Sequence, residues 1–384
     1  MNPSKQITVG IDATNIRVGG GVTHLIEFLR AAHPEEHGIA RIVIWGGTAT
    51  MQLIEERPWL FKNTPSALDQ GLLQRTLWQH FHLSKFMKEE ECDLLFVPGG
   101  NYVGNYHPIV TMSRNLLPFE WRELRRFGWS WMTVKLSILR FAQTRSYKRA
   151  DGLIFLNQFA SKTVMKVVKK VGGKTTIIPH GINIRFSMAP REQLLINKYD
   201  TSNPFRILYV STVDMFKHQW VVAAAVANLR NKGIPVRLDL VGGAYPPALK
   251  KMNKVLDLVD SGSEYIQYRG AIPYNKLHEL YGSANLGLFA SSCENMPNIL
   301  VELMASGLPI VCSRNGPMPE VLGDAGEYFD PEDAKDIERA IAKMIHSPEL
   351  RKHKSQLSYD RSKLYSWKEC ASKTIEFLSK VAQQ

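Results

Sequence analysis

"ANLGLFASSCENMPNILVELMASGLPIVCS", residues 284–313, decides how this chain folds. An apolar run over 284–292 reads as a buried strand. The loop Cys293–Met296 follows, and Pro297 suits a first helical turn because its missing N–H has no partner there anyway. Ile299, Leu300 and Leu303 make an apolar stripe on a helix of about three turns, 297–306. Asn295 is a candidate cap, Gly307 fits the position after the helix, and Pro309 bars its continuation. "PIVCS" (309–313) is the next strand. A strand, a helix and a strand in this order form a parallel crossover.

The pattern extends in both directions. "QITVGID" (6–12), "ARIVIWGG" (40–47), "CDLLFVPGG" (92–100), "HPIVTMS" (107–113), "ADGLIFLN" (150–157) and "KTTIIPHG" (174–181) are short apolar runs ending in turn formers. A second series opens at "FRILYVST" (205–212) and continues with "VRLDLVGG" (236–243) and "YIQYRG" (265–270). Helical stretches separate them, including 22–32 and 275–284. The fold class expected is α/β, with two doubly wound Rossmann-like domains facing a cleft. Residues 1–185 form the first domain and 186–366 the second. The C-terminal helix, 367–384, packs back on the first. Turn formers and weak periodicity mark 185–204 as the inter-domain linker. Ligands of such sheets bind at the carboxyl ends of the strands.

The 384 residues carry a net charge of +12, and the excess is uneven. Residues 1–185 hold 24 Lys and Arg against 14 Asp and Glu. The surplus favours anionic partners. The N-terminal "MNPSKQITVGID" lacks the apolar core of a signal peptide, which points to a cytoplasmic protein. Four scattered cysteines with no Cys-x-x-Cys spacing argue against a disulfide framework or a thiolate zinc site. With no Asp-x-Asp or His-Glu-x-x-His pattern, no metal is expected.

A helix N-terminus at the end of a strand is a ready anion site. Glu294 lies in the loop before it. Glu302 lies one to two turns in and leans back, as helical side chains do. Two carboxylates beside an anion site suit a ligand with a phosphate and several hydroxyls. The plainer alternative makes Glu302 a solvated helix residue and Glu294 a first-turn acid.

Residues 291–333, "SSCENMPNILVELMASGLPIVCSRNGPMPEVLGDAGEYFDPED", resemble the donor-site signature of retaining glycosyltransferases of the GT-B fold, family 4 (glycosyl transferases group 1). The Glu-x7-Glu pair maps onto Glu294 and Glu302. The resemblance implies that Glu302 holds the ribose of a nucleotide sugar and Glu294 the hydroxyls of the donor sugar. Backbone amides of Met296, Asn298 and Ile299 would face the donor. The family's Arg-x4-Lys clamp on the diphosphate falls on Thr212 and Lys217: the lysine is present, the arginine is not. Arg269 and Arg314 are candidates to replace it. The donor is expected to be UDP- or GDP-linked, with no cofactor.

By the same resemblance the first domain takes the acceptor. "RVGGG" places Gly20 and Gly21 before a helix on which His24 stands. The family's His-Asp pair after the fourth strand is replaced, and Arg114 and Asn115 occupy that turn; with the glycine loop and His24 they are expected on the acceptor or phosphate side. The implied function is a retaining, metal-independent transfer to a glycan or lipid-linked acceptor in surface polysaccharide or lipopolysaccharide biosynthesis. The rivals are a nucleotide- or sugar-binding protein that has lost catalysis, prompted by Thr212, and another GT-B enzyme such as a sugar-nucleotide epimerase.

Residues 114–149 carry nine basic and two acidic residues, interleaved with Trp121, Phe127, Trp129, Trp131, Phe141 and Tyr147. Basic and aromatic side chains together suit an anionic membrane surface. Peripheral attachment at the inner face of the cell membrane is therefore expected; the alternative is a helix pair with a solvated basic face. No nucleic-acid-binding motif accompanies the charge, so no nucleic acid is expected.

Overall fold

The computed structural model describes residues 6–384; Met1–Lys5, the start of the stretch read for a leader, lie outside the described residues. The chain divides into two compact units. The first comprises residues up to Trp121, Trp129–Gly181 and Ser366–Gln384; the second comprises Arg122–Gly128 and Ile182–Tyr365.

The first unit holds seven strands: β1 (Ile7–Ala13), β2 (Ile39–Gly46), β3 (Leu60–Asn63), β4 (Leu94–Val97), β5 (Ile109–Met112), β6 (Gly152–Phe155) and β7 (Lys174–Ile177). They pair in parallel in the order β3-β2-β1-β4-β5-β6-β7. The second unit holds β8 (Phe205–Val210), β9 (Val236–Val241), β10 (Ile266–Tyr268), β11 (Leu286–Phe289), β12 (Ile310–Ser313) and β13 (Glu327–Phe329). Its parallel order is β10-β9-β8-β11-β12-β13. Both are the α/β sheets expected. In each the order reverses beside its first strand, which opens a crevice at the carboxyl ends there.

Central strands are buried over most of their length, as sheets covered on both faces require. The edge strands β3 and β13 escape the sequence reading. They are three or four residues long and partly exposed, so their apolar signal is weak.

The quoted segment folds as a strand, helix and strand. Its helix runs Asn298–Ala305, with Leu300 and Leu303 fully buried. Gly287 in β11 makes the close packing feasible, since a Cβ there would meet Leu303 Cδ2 at 2.8 Å. Gly307 ends the helix at φ +63, and a Cβ on it would lie 2.6 Å from Met188 O. That contact shows where 185–204 goes. It is no free linker: Met188 N donates to Ala305 O at 2.9 Å, Phe186 is fully buried, and the stretch lies on the second unit. In the first unit the helix Trp367–Ala382 packs on the helix Gly20–Ala31.

Candidate functional site

At the crevice of the second unit, the loop after β8 carries Lys217 and the loop after β11 carries Glu294. Their side chains form an ion pair, and both are largely shielded from solvent. The Lys217 ammonium also lies over the rings of Phe216 and Phe289, 5.1 and 5.6 Å from their centroids. Ser292 N donates to Phe216 O at 2.9 Å, which ties the two loops together. The backbone turns at His218, the residue before the helix Gln219–Asn231, with φ +54.

Glu302 is not a solvated helix residue. It is 2% exposed and accepts a hydrogen bond from Tyr281 Oη at 2.7 Å. Burial pushes its carboxyl up to about 7, against the lowering effect of the Tyr281 and Tyr274 phenols and of Arg185. A buried carboxyl that titrates near neutrality is a candidate to exchange a proton with a ligand.

The helix start differs from the expectation. Pro297 sits outside the first turn, at φ −79 and ψ 72, and no side chain caps the helix, so Asn295 does not fill that role. Asn298 N donates to Met296 O at 2.9 Å across Pro297, an inverse γ-turn. Its N–H is thereby occupied. Ile299, in the first turn, has no acceptor within its own helix, so its amide suits a ligand better than that of Asn298. Met296 is buried beside it.

Thr212 is exposed and uncharged; its carbonyl accepts from Gln219 Nε2 at 3.1 Å. Neither expected replacement for the clamp arginine is uncommitted. Arg269 Nε donates to Asp239 Oδ1 at 2.9 Å, and Arg314 pairs with Asp336. Sequence reasoning missed a further cluster in this unit, formed by His218, Ser292, Glu123, Arg126 and Glu332. Ser292 and Glu332 lie within the motif segment; His218, Glu123 and Arg126 do not.

In the first unit, Arg114 Nη2 donates to Gly20 O at 2.7 Å and Nη1 reaches Gly21 O at 3.5 Å. Burial lowers its pKa to about 10, still cationic at neutral pH. Asn115 Oδ1 accepts from Leu117 N at 3.1 Å and so braces its own turn. His24 does not face an open crevice. It is 1% exposed, 4.5 Å from the His180 ring and 5.9 Å from that of Trp367. Neither of its ring nitrogens finds a hydrogen-bond partner among the described residues. Burial first, then His180 and Arg114, hold its pKa well below the ordinary value, so it is neutral.

The basic stretch separates by role. Arg114 is occupied at the glycine loop; Arg122 and Arg126 pair with Glu332. Tyr147 is buried. The helix Trp131–Arg149 exposes Trp131, Val134, Ile138 and Phe141 along one side, with Lys135, Arg145 and Lys148 exposed among them, and Trp129 just before it is fully exposed. No helix among the described residues is long and apolar enough to cross a membrane.

Comparison with known proteins finds a family match within the second unit. Residues 192–361 match the family model "Glycosyl transferases group 1". A stretch of 120 residues is 32% identical to O-antigen chain mannosyltransferase B of Escherichia coli, covering 31% of this chain and 32% of that protein. The chain spans about a third to a half of the length of the curated relatives it matches. Among solved structures, sucrose-phosphate synthase from Thermosynechococcus elongatus superposes with a TM-score of 0.78 at 17% identity, covering 98% of this chain and 99% of that one. HepE of Anabaena, solved in complex with UDP and glucose, gives 0.67 at 16%, covering 97% and 100%. At these identities the likeness of structure establishes the fold alone. The second unit, with its paired loops at the β8–β11 crevice, carries a glycosyl transferases group 1 domain.

Proposed function

We propose that the chain is a retaining, metal-independent glycosyltransferase of the family 4 type. It moves a hexosyl group from a UDP- or GDP-linked donor to a glycan or lipid-linked acceptor, in the building of a surface polysaccharide or lipopolysaccharide. The observation that carries the reading is the Lys217–Glu294 pair at the β8–β11 crevice, beside a helix N-terminus and the buried Glu302. As the sugar leaves, negative charge grows on the departing diphosphate. Lys217 and the Ile299 amide neutralise it there. Diphosphate binding draws Lys217 away from Glu294, whose carboxylate then accepts from the sugar hydroxyls. Glu302 accepts from the ribose. The O-antigen relative favours a mannosyl donor as the first to try.

Release of nucleoside diphosphate from a panel of UDP- and GDP-sugars tests this, with the anomeric configuration of the product read by NMR. Release should be unaffected by EDTA. Exposed, uncharged Thr212 favours a second reading, a nucleotide-binding protein without turnover. Nucleotide binding with no release from any donor would establish it.

We also assign an anionic membrane surface to the first unit. Its Trp131–Arg149 helix has a basic and apolar outer side, and the helix Leu72–Phe81 exposes Leu72, Leu73, Leu77 and Phe81. The two helices brace adjacent residues: Tyr102 N donates to Ser146 Oγ at 2.9 Å and Val103 N to Gln79 Oε1 at 3.2 Å. Apolar insertion and basic attraction act together in such surfaces. Flotation with liposomes containing an anionic lipid should carry the protein, and replacing Trp129, Trp131 and Phe141 by Ser should release it. No flotation of the parent protein would refute the assignment.

A further inference from the structure

Seven residues, Arg122–Gly128, leave the first unit and cluster with the second. Their seat is specific. Arg126 donates to Glu332 through both terminal nitrogens, at 3.0 and 2.7 Å, and through Nε to Glu123 at 2.7 Å. Arg122 adds a bond to Glu332, and Phe127 lies 5.9 Å from the Tyr245 ring. Glu123 itself is 4% exposed, and its Oε2 accepts from Ser292 Oγ at 2.6 Å.

The Ser292 hydroxyl has three neighbours: Glu123 Oε2 at 2.6 Å, His218 Nε2 at 3.0 Å and Phe216 O at 3.3 Å. It has one proton to donate. The charged, nearer carboxylate takes it. The imidazole is then the donor, so His218 carries its proton on Nε2. Burial first, then Arg126, lowers the His218 pKa to about 4, so the ring is neutral and has that one N–H. A directed chain results, from His218 through Ser292 to Glu123. It holds His218 at φ +54, a conformation costly for a residue with a Cβ. His218 adjoins Lys217, and Ser292 lies two residues before Glu294.

We propose that Glu123 is a positioning residue of the donor site. Seated by Arg126 and Glu332, it acts through Ser292 and His218 to hold the Lys217 turn and the Glu294 loop in a single register. Glu123 itself is bonded to Arg126 and Ser292. The inference rests on the donor reading of Lys217 and Glu294, and the two can fail separately.

The measurement is the affinity of the full chain for UDP and GDP by titration calorimetry, with histidine ¹⁵N shifts reporting the His218 tautomer. Glu123→Ala and Ser292→Ala should each weaken the nucleotide that binds by about tenfold, the scale of one lost charge-assisted hydrogen bond. Each should also shift the His218 Nε2 signal. Glu123→Gln, whose amide oxygen still accepts from Ser292, should recover most of the affinity. Lys254→Ala, at an exposed lysine of the second unit outside this seat, should bind as the parent does. A merely structural role would lower the competent fraction and leave the dissociation constant unchanged, and that result overturns the proposal. Should Glu123→Ala fail to fold, Ser292→Ala decides alone. If Lys217→Ala does not weaken binding, the donor reading falls; if Lys217→Ala weakens it and Ser292→Ala does not, only the role of Glu123 falls.

Discussion

The two sheets share one strand order around their crevices, yet they place different chemistry there. In the second unit, charge meets charge: Lys217 with Glu294, Arg126 with Glu123 and Glu332, and a buried Glu302 with a phenol. In the first, Asp12 at the end of β1 accepts from Thr14 N at 3.0 Å and from the Gln79 amide, Arg114 binds carbonyls, and the His24 ring has no hydrogen bond among the described residues. Topology fixes where a ligand can lie; the residues after the strands decide which ligand. A site of paired charges suits a diphosphate. Under the proposed function the first unit, where a buried carboxylate, carbonyls and amides gather at the strand ends, takes the acceptor's hydroxyls.

The comparison breaks most visibly at Lys217. Lys217→Ala should lower turnover of the nucleotide sugar by about a hundredfold or more, since it removes a fixed cation from the departing phosphate. Arg114→Ala, in the first unit, should leave the affinity for UDP or GDP near that of the parent. Equal losses of nucleotide affinity in the two variants would mean that the division of labour between the units is wrong.

A smaller effect is expected at Glu302. Glu302→Ala should weaken nucleotide binding by about tenfold to a hundredfold, through lost hydrogen bonds to the ribose. The carboxyl also predicts a pH dependence. Burial raises its pKa from 4.5 to about 7. The fold therefore retains a proton that the unfolded chain releases near 4.5, and this contribution to stability declines as pH rises through 7. Ribose hydroxyls favour the ionised form, so binding below pH 7 should release a proton. Affinity should climb from pH 5.5 to 7 and then level off. Calorimetry in buffers of different ionisation enthalpy reads the proton directly; a flat profile in Glu302→Gln would assign it.

The contrast between the units also governs what the sequence discloses. Central strands are legible because burial on both faces makes them continuous apolar runs. The candidate donor loop is legible because Glu294, the helix start and Glu302 fall in one short segment. The pairing of that segment is not: Lys217 lies 77 positions from Glu294, and Glu123 lies 169 from Ser292. Glu123 resides in a stretch whose composition suggests a membrane surface, and nothing local marks it as part of the second unit. His24 misleads for the same reason. Its helix position permits exposure, and Trp367, arriving from the far end of the chain, buries it.

That burial makes the smallest predicted effect, in the first unit. His24 is held neutral with its pKa well below 6.5. Above pH 6.5 the unfolded chain is neutral there too, and the stability contribution is complete. As pH falls through 6.5, the unfolded imidazole takes a proton that the folded one refuses, so stability declines toward the folded pKa. His180, whose ring lies against His24, and the cationic Arg114 both oppose the added charge. His24→Leu removes the titrating group and leaves no imidazole nitrogen to satisfy, so it should cost little at pH 7.5. At pH 5.5 it should raise the melting temperature of the first unit by a few degrees relative to the parent. The second unit, where His218 sits with its pKa lowered to about 4, should keep its own loss of stability in acid. Calorimetric scans at the two pH values separate the units; an acid response unchanged by His24→Leu would place the proton elsewhere in the first unit.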